Sequence, residues 1–204
     1  MSDGIQNGDE SFLFFPLTPG RWDDFVKLLG EKGGCGGCWC MASRLTAADF
    51  ESCKGEKNKE LMAAIVLDNQ QPGIIAYYNN EPVGWCSVAP RESFKRLEFS
   101  RILKRVDDKP VWSVTCFFIK KEYRRKNLSL ALLKAAIKIC EEKGGHILEG
   151  YPVIPYDKNM PSVFAWTGIL SAFEKAGFVE AARRSKTRPV MRYIINGQNT
   201  GGNI

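Results

Sequence analysis

Val114-Thr115-Cys116-Phe117-Phe118-Ile119 runs directly into Lys120-Lys121-Glu122-Tyr123-Arg124-Arg125-Lys126 and then into Asn127-Leu128-Ser129, and the reading of this passage decides the fold. Residues 111–119 are apolar on both faces of an extended chain, the mark of a strand inside a sheet. From residue 127 the period changes: Leu128, Leu132, Ala135 and Ile139 recur at helical spacing, and Gly144-Gly145 supplies the stop. An apolar run at 147–153 completes a strand, helix, strand unit. The basic turn between strand and helix leads into N–H groups that the first helical turn leaves unpaired. Such a place suits an anion, a diphosphate above all, although a solvated helix start would carry the same charges.

Working outward, residues 12–17 read as a strand, and Thr18-Pro19 opens a helix to about Gly30. A glycine-rich passage follows, Gly33-Gly34-Cys35-Gly36-Gly37-Cys38-Trp39-Cys40-Met41, and residues 46–68 then look helical. Residues 73–78 and 83–88 flank a polar turn and predict a hairpin, and residues 90–110 predict short helical turns. Downstream come a helix over 167–176, a break at Gly177-Phe178, and two strands around the basic turn 183–188. About seven strands and four main helices form one α/β domain over 12–195, a mixed α+β sheet, with residues 1–11 and 196–204 as tails.

At 204 residues and 44% apolar content the chain is long enough to bury one core. No apolar run approaches the ~18 residues that cross a bilayer, and the N-terminus lacks the layout of a secretory signal. Seven cysteines, an odd number in a chain of this size, fit reduced thiols. The expectation is a soluble cytoplasmic protein with no membrane partner. The net charge of +6 gathers at 120–126 and 183–192. No recognised nucleic-acid reading module accompanies it, so no nucleic-acid partner is expected. The assembly state is open, a homodimer among the options.

Residues 111–145, with Tyr123-Arg124-Arg125-Lys126-Asn127-Leu128-Ser129, resemble the acyl-coenzyme A segment of the GNAT superfamily, (Arg or Gln)-x-x-(Gly)-x-(Gly or Ala). Arg124 takes the first place, Asn127 that of the first glycine and Ser129 that of the second. Asn is the non-glycine residue best able to adopt positive φ, and Ser is small enough for close backbone approach. A second stretch, residues 168–178 ending Glu174-Lys175-Ala176-Gly177-Phe178, resembles the family's last helix and its end. The resemblance implies the GNAT acyltransferase fold and N-acetyl transfer from acetyl-CoA to a small-molecule or peptide amine by direct attack in a ternary complex, with no metal required. It implies that the backbone of Phe117, Phe118 and Ile119 pairs with the pantetheine arm. Arg124, Arg125, Lys126, Asn127, Leu128 and Ser129 would wrap the diphosphate.

Many members carry a tyrosine in the last helix that protonates the leaving thiolate, whereas this chain has Phe173 there. Tyr151 and Tyr156, just past the strand at 147–153, are the nearest substitutes. A non-catalytic acyl-CoA sensor is the alternative. An amine must lose a proton to attack, and Glu149 at a strand end is the candidate base, with a plain salt bridge as its other reading. Cys116 as an acyl-accepting nucleophile and His146 as a base are further options. Cys35, Cys38, Cys40 and Cys53 have imperfect zinc spacing, and a redox pair is an equal alternative. The preferred reading of their loop is a mobile cover for the acceptor pocket with Trp39 and Met41 as walls, to which Trp85, Trp112 and Trp166 could add.

Overall fold

Two asparagines make the tightest turn of the sheet. Asn79 and Asn80 both hold positive φ, 48° and 63°, as a two-residue hairpin turn demands. In this computed structural model, which describes residues 5–6, 12–155 and 165–195, they fold β3 (Gly73–Tyr78) back on β4 (Glu81–Pro90). The other strands are β1 (Ile5–Gln6), β2 (Leu13–Pro16), β5 (Trp112–Ile119), β6 (Ile147–Gly150), β7 (Val179–Arg183) and β8 (Pro189–Ile194). They form one mixed sheet of eight strands in the order β1-β2-β3-β4-β5-β6-β8-β7. Every neighbouring pair is antiparallel except β5 with β6, which are parallel.

Six helices accompany the sheet among the described residues: α1 (Trp22–Leu29), α2 (Ala47–Ser52), α3 (Glu56–Leu67), α4 (Lys95–Glu98), α5 (Leu128–Glu142) and α6 (Leu170–Lys175). The apolar stripe of α5 buries Leu128, Leu132, Ala135 and Ile139 against one face of the sheet, where Val88, Val114 and Leu148 meet it. Fully burying one such leucine is worth about 1.5–3 kcal/mol, so this face fixes how α5 sits at the end of β5. The opposite face, through Ile75, Tyr77 and Trp85, packs on Phe25 of α1, Met62 of α3 and Trp39 of the glycine-rich loop.

The architecture matches the expected mixed α/β sheet, and four details differ. Ile5 and Gln6, expected in a tail, pair with Phe14 and Leu13 as β1. The helix expected over 46–68 breaks into α2 and α3 at Gly55, which holds φ 87° and donates its N–H to Gly37 C=O. The two backbones touch there: a Cβ on Gly37 would lie 2.4 Å from Gly55 N. Asn58, buried in α3, adds a second hydrogen bond to the same Gly37 carbonyl. The strand expected over 147–153 ends at Gly150, and the helix expected from 167 starts at Leu170. Gly168 at φ 85° turns the chain so that Ile169 bridges to Val153 instead.

Gly37→Ala should therefore lower stability by about 1–3 kcal/mol in urea unfolding, through both the clash and the positive φ of 74°. Gly20→Ala, with open space around it, should stay within about 0.5 kcal/mol of the parent. Equal effects of the two changes would refute the close approach at Gly55.

Candidate active site

β5 and β6 run together for three residue pairs, Trp112↔Leu148, Ser113↔Glu149 and Val114↔Gly150, and then part. Thr115 is the cause on the β5 side. Ser87 opposes Cys116 while Val88 opposes Val114, so Thr115 is an extra residue that bulges and bends the strand. Beyond it, β5 stays paired with β4 on one edge and is open on the other. Lys120 donates to Val83 C=O, and ladder alternation then directs the backbone of Phe118 toward β4 and that of Phe117 and Ile119 into the opening. Phe118, expected to pair with the pantetheine arm, thus has its backbone groups committed to β4. In the opening, Phe117 N–H meets the carbonyl of Trp166 at 2.6 Å. The Ile119 carbonyl accepts from Arg124 Nε at 3.0 Å.

At the joined end, sheet pairing brings charges together that are distant in sequence. Glu149 and Arg192 oppose each other across β6 and β8, and Arg192 Nε reaches Glu149 Oε1 at 2.8 Å. Arg91 Nη1 lies 3.3 Å from Glu149 Oε2, to which Tyr151 donates at 2.8 Å. The Tyr151 hydroxyl accepts from Arg91 at 2.7 Å and also meets the Ser113 hydroxyl. Glu149, Arg91 and Tyr151 are each 1% exposed. Burial, and then the charge of Glu149, pushes the Tyr151 phenol well above its ordinary range. The structure places Glu149 and Tyr151, expected as catalytic, in a buried clamp: both oxygens of Glu149 are bound to arginines, and the Tyr151 hydroxyl is occupied on both its donor and acceptor sides. Arg192 also forks onto Asp107 at 2.7 and 2.9 Å, and those hydrogen bonds hold the Asp107 carboxyl down at about 2, from its ordinary 3.8.

The opposite end of β5 leads through a 3-10 turn, Lys121–Tyr123, to α5. Arg125 and Asn127 take positive φ, 62° and 58°. Asn127 makes no side-chain cap, so its own side chain does not cover the first amides of α5. Leu128 plunges into the core while Arg124, Arg125, Lys126 and Asn127 are exposed and Ser129 half-buried. Among the described residues, no carboxylate lies within ion-pair distance of Lys120, Lys121, Arg125 or Lys126. This basic turn lies at the mouth of the opened edge.

Trp39 and Met41 pack into the core beneath β5, 3% and 2% exposed, so they are floor rather than movable wall. Trp85 is fully buried beside them, whereas Trp166 is more than a third exposed. No three of His, Cys, Asp and Glu converge as metal ligands would among the described residues. Cys40 turns toward Cys116 of β5. His146 is exposed at the start of β6, the end away from the opening. Tyr156 lies outside the described residues. Arg91, Arg192 and Asp107 were not read from the sequence as site residues: strand register brings Arg192 to Glu149, the turn after β4 brings Arg91, and Asp107 joins through Arg192. Arg44 also escaped: it is buried against the Phe94 ring, bonds Pro72 C=O, and is pushed down to about 10 by burial.

Residues 39–163, more than half of the chain, match the family model of the acetyltransferase (GNAT) family. The chain belongs to the GNAT family. Three solved structures share the GNAT fold with it. PaiA N-acetyltransferase from Thermoplasma acidophilum, in complex with coenzyme A, is 17% identical with a TM-score of 0.53, covering 91% of this chain and 99% of that one. Ribosomal-protein-S5-alanine acetyltransferase from Vibrio fischeri is 11% identical with a TM-score of 0.53, covering 96% and 98%. A GNAT acetyltransferase from Listeria monocytogenes is 10% identical with a TM-score of 0.56, covering 95% and 100%. Among curated proteins, none matches the chain by sequence. Among the described residues, no helix is long and apolar enough to cross a membrane.

The clamp at the joined end of this GNAT sheet yields two expectations. Glu149→Gln removes a charge shared by two buried arginines, and should cost about 3–5 kcal/mol in urea unfolding. A fully stable variant that has lost acyl transfer would instead restore Glu149 as the base. The depressed carboxyl of Asp107 stabilises the fold above its unfolded value near 4 and loses that contribution as pH falls through about 2. The stability gap between the parent and Asp107→Asn should accordingly be full above about pH 4 and close toward pH 2; a gap independent of pH would contradict the Arg192 fork.

Proposed function

We propose that this GNAT protein moves an acyl group, acetyl foremost, from acyl-CoA to a primary amine by direct attack in a ternary complex. The observation that carries the reading is the opened edge of β5, which ends at a helix start that Asn127 does not cap, beside Arg125 and Lys126, within ion-pair distance of which no carboxylate lies among the described residues. Phe117 and Ile119 offer backbone groups to an extended amide-bearing arm, as a sheet edge does to an added strand. The amides after Asn127, with Arg125 and Lys126, suit a diphosphate through hydrogen bonds and the helix dipole together. Acetyl-CoA, the acyl donor, supplies the activated thioester. To receive it, the carbonyl of Trp166 leaves Phe117 N–H and Arg124 leaves the Ile119 carbonyl. The acceptor is a small-molecule or peptide amine. With Glu149 and Tyr151 tied to arginines, water takes the proton that the attacking amine releases, and the clamp acts by keeping the vertex of the opening rigid.

The second reading is an acyl-CoA sensor with little turnover. Phe173 favours it, since its ring is fully buried and has no hydroxyl to protonate a leaving thiolate.

Acetyl-CoA should raise the melting temperature of the protein, and a broad amine panel should release free thiol above the hydrolysis background. Binding without release selects the sensor, and no thermal shift removes both readings. Asn127→Val, a β-branched residue at positive φ, should weaken acetyl-CoA binding about tenfold, equivalent to about 1–2 kcal/mol of left-handed strain. Asn127→Gly should keep it.

A further inference from the structure

Cys40 and Cys116 stand 76 residues apart, yet their sulfurs meet at 3.4 Å. All seven cysteines are free thiols, and no other two of them make such a contact among the described residues. The backbone is bent to create this meeting. Trp39 and Cys40 hold consecutive positive φ values of 44° and 57°, a region that costs non-glycine residues energy and persists only where the surroundings enforce it. The enforcement is visible. Trp39 N–H bonds Gly33 C=O, Met41 N–H bonds Cys38 C=O, and a Cβ on Gly33 would lie 2.3 Å from the Trp39 indole nitrogen. On the other side Cys116 is half-buried in β5, next to the bulge at Thr115 and adjoining Phe117, whose N–H faces the opening.

We propose that Cys40 and Cys116 form an oxidisable pair, closed by a peroxide into a disulfide that ties the glycine-rich loop to β5 and restrains the acceptor side of the site. Only the functional consequence rests on the acyl-transfer reading. Cys116, the more exposed, is attacked first: its sulfur bonds one peroxide oxygen, the O–O bond breaks, and one water leaves. Cys40 then attacks the resulting sulfenic sulfur, its proton joins the departing hydroxide as a second water, and the S–S bond forms. Two thiols thus give up two electrons and the peroxide takes them. The contact with Cys116, and then burial, keeps the Cys40 thiol well above its ordinary range, so Cys40 is not the thiol that the peroxide oxidises first. Bond formation needs the sulfurs to close from 3.4 Å to about 2 Å. Cys35 and Cys38 lie in the same loop, but Cys35 is exposed and neither is in contact with another thiol.

The test treats the reduced full-length chain with hydrogen peroxide, alkylates the remaining thiols and maps linked peptides by mass spectrometry. A Cys40–Cys116 link that dithiothreitol reverses is expected, with its loss in Cys40→Ser. Cys40 and Cys116 both still alkylated, a link between Cys35 and Cys38 in their place, or Cys116 carried to sulfinic acid would overturn the proposal. The map needs no activity, so it stands or falls apart from the acyl-transfer reading. Where the reduced protein releases thiol from acetyl-CoA with an amine, linkage should abolish that release while the acetyl-CoA thermal shift persists, and dithiothreitol should restore it. Unchanged release from the fully linked protein would overturn the regulatory half.

Discussion

Backbone hydrogen bonding must balance everywhere in a folded chain, and here it is left unbalanced on purpose along one edge. Where β5 parts from β6 after Val114 and Gly150, the strand keeps its β4 neighbour and loses the other. Phe117 and Ile119 then need partners from outside the ladder, because buried amides and carbonyls without them are costly. The carbonyl of Trp166 and the guanidinium of Arg124 fill two of these needs. One sits on an irregular segment and the other on an exposed side chain, so the opening is a strand position filled from outside the ladder.

An opening of this kind works only if its closed end does not slip. Ser113, Glu149, Tyr151, Arg91 and Arg192 sit at that end as one hydrogen-bonded cluster, extended to the surface by Asp107. Buried charges seldom add net stability over apolar packing, but once present they tolerate very few geometries. The cluster spans β5, β6, β8 and the turn after β4. Phe173 closes the other face of the vertex: a Cβ on Gly150 would stand 1.9 Å from its ring, so the missing side chain on β6 is what admits the aromatic.

The central passage was legible because its signals are local. Residues 111–119 and 127–143 differ in period, and Asn127 has the chemistry for the left-handed turn it makes. The hairpin at Asn79-Asn80 and the stop at Gly144 declared themselves in the same way. Contacts between distant residues did not. The break at Gly55 depends on Gly37, and the commitment of Glu149 depends on Arg91 and Arg192, neither of which any spacing rule links to it. Phe118 was assigned to the opening because a list of consecutive residues ignores alternation, and the direction of each amide follows only from the pairing of Lys120 with Val83. Trp39 and Met41 looked like pocket walls because they stand in a glycine-rich loop, yet their apolar bulk drives them under the sheet.

The parallel joint between β5 and β6 rests on three residue pairs separated by the whole of α5. Hairpins such as β3 with β4 close short loops, whereas this pairing must await the docking of a long crossover. During folding the vertex is accordingly among the later features to assemble, and the buried clamp holds it once it has formed. The order of assembly then follows from the chain itself: the connection that creates the fork is a long one with only three rungs, which the clamp must reinforce.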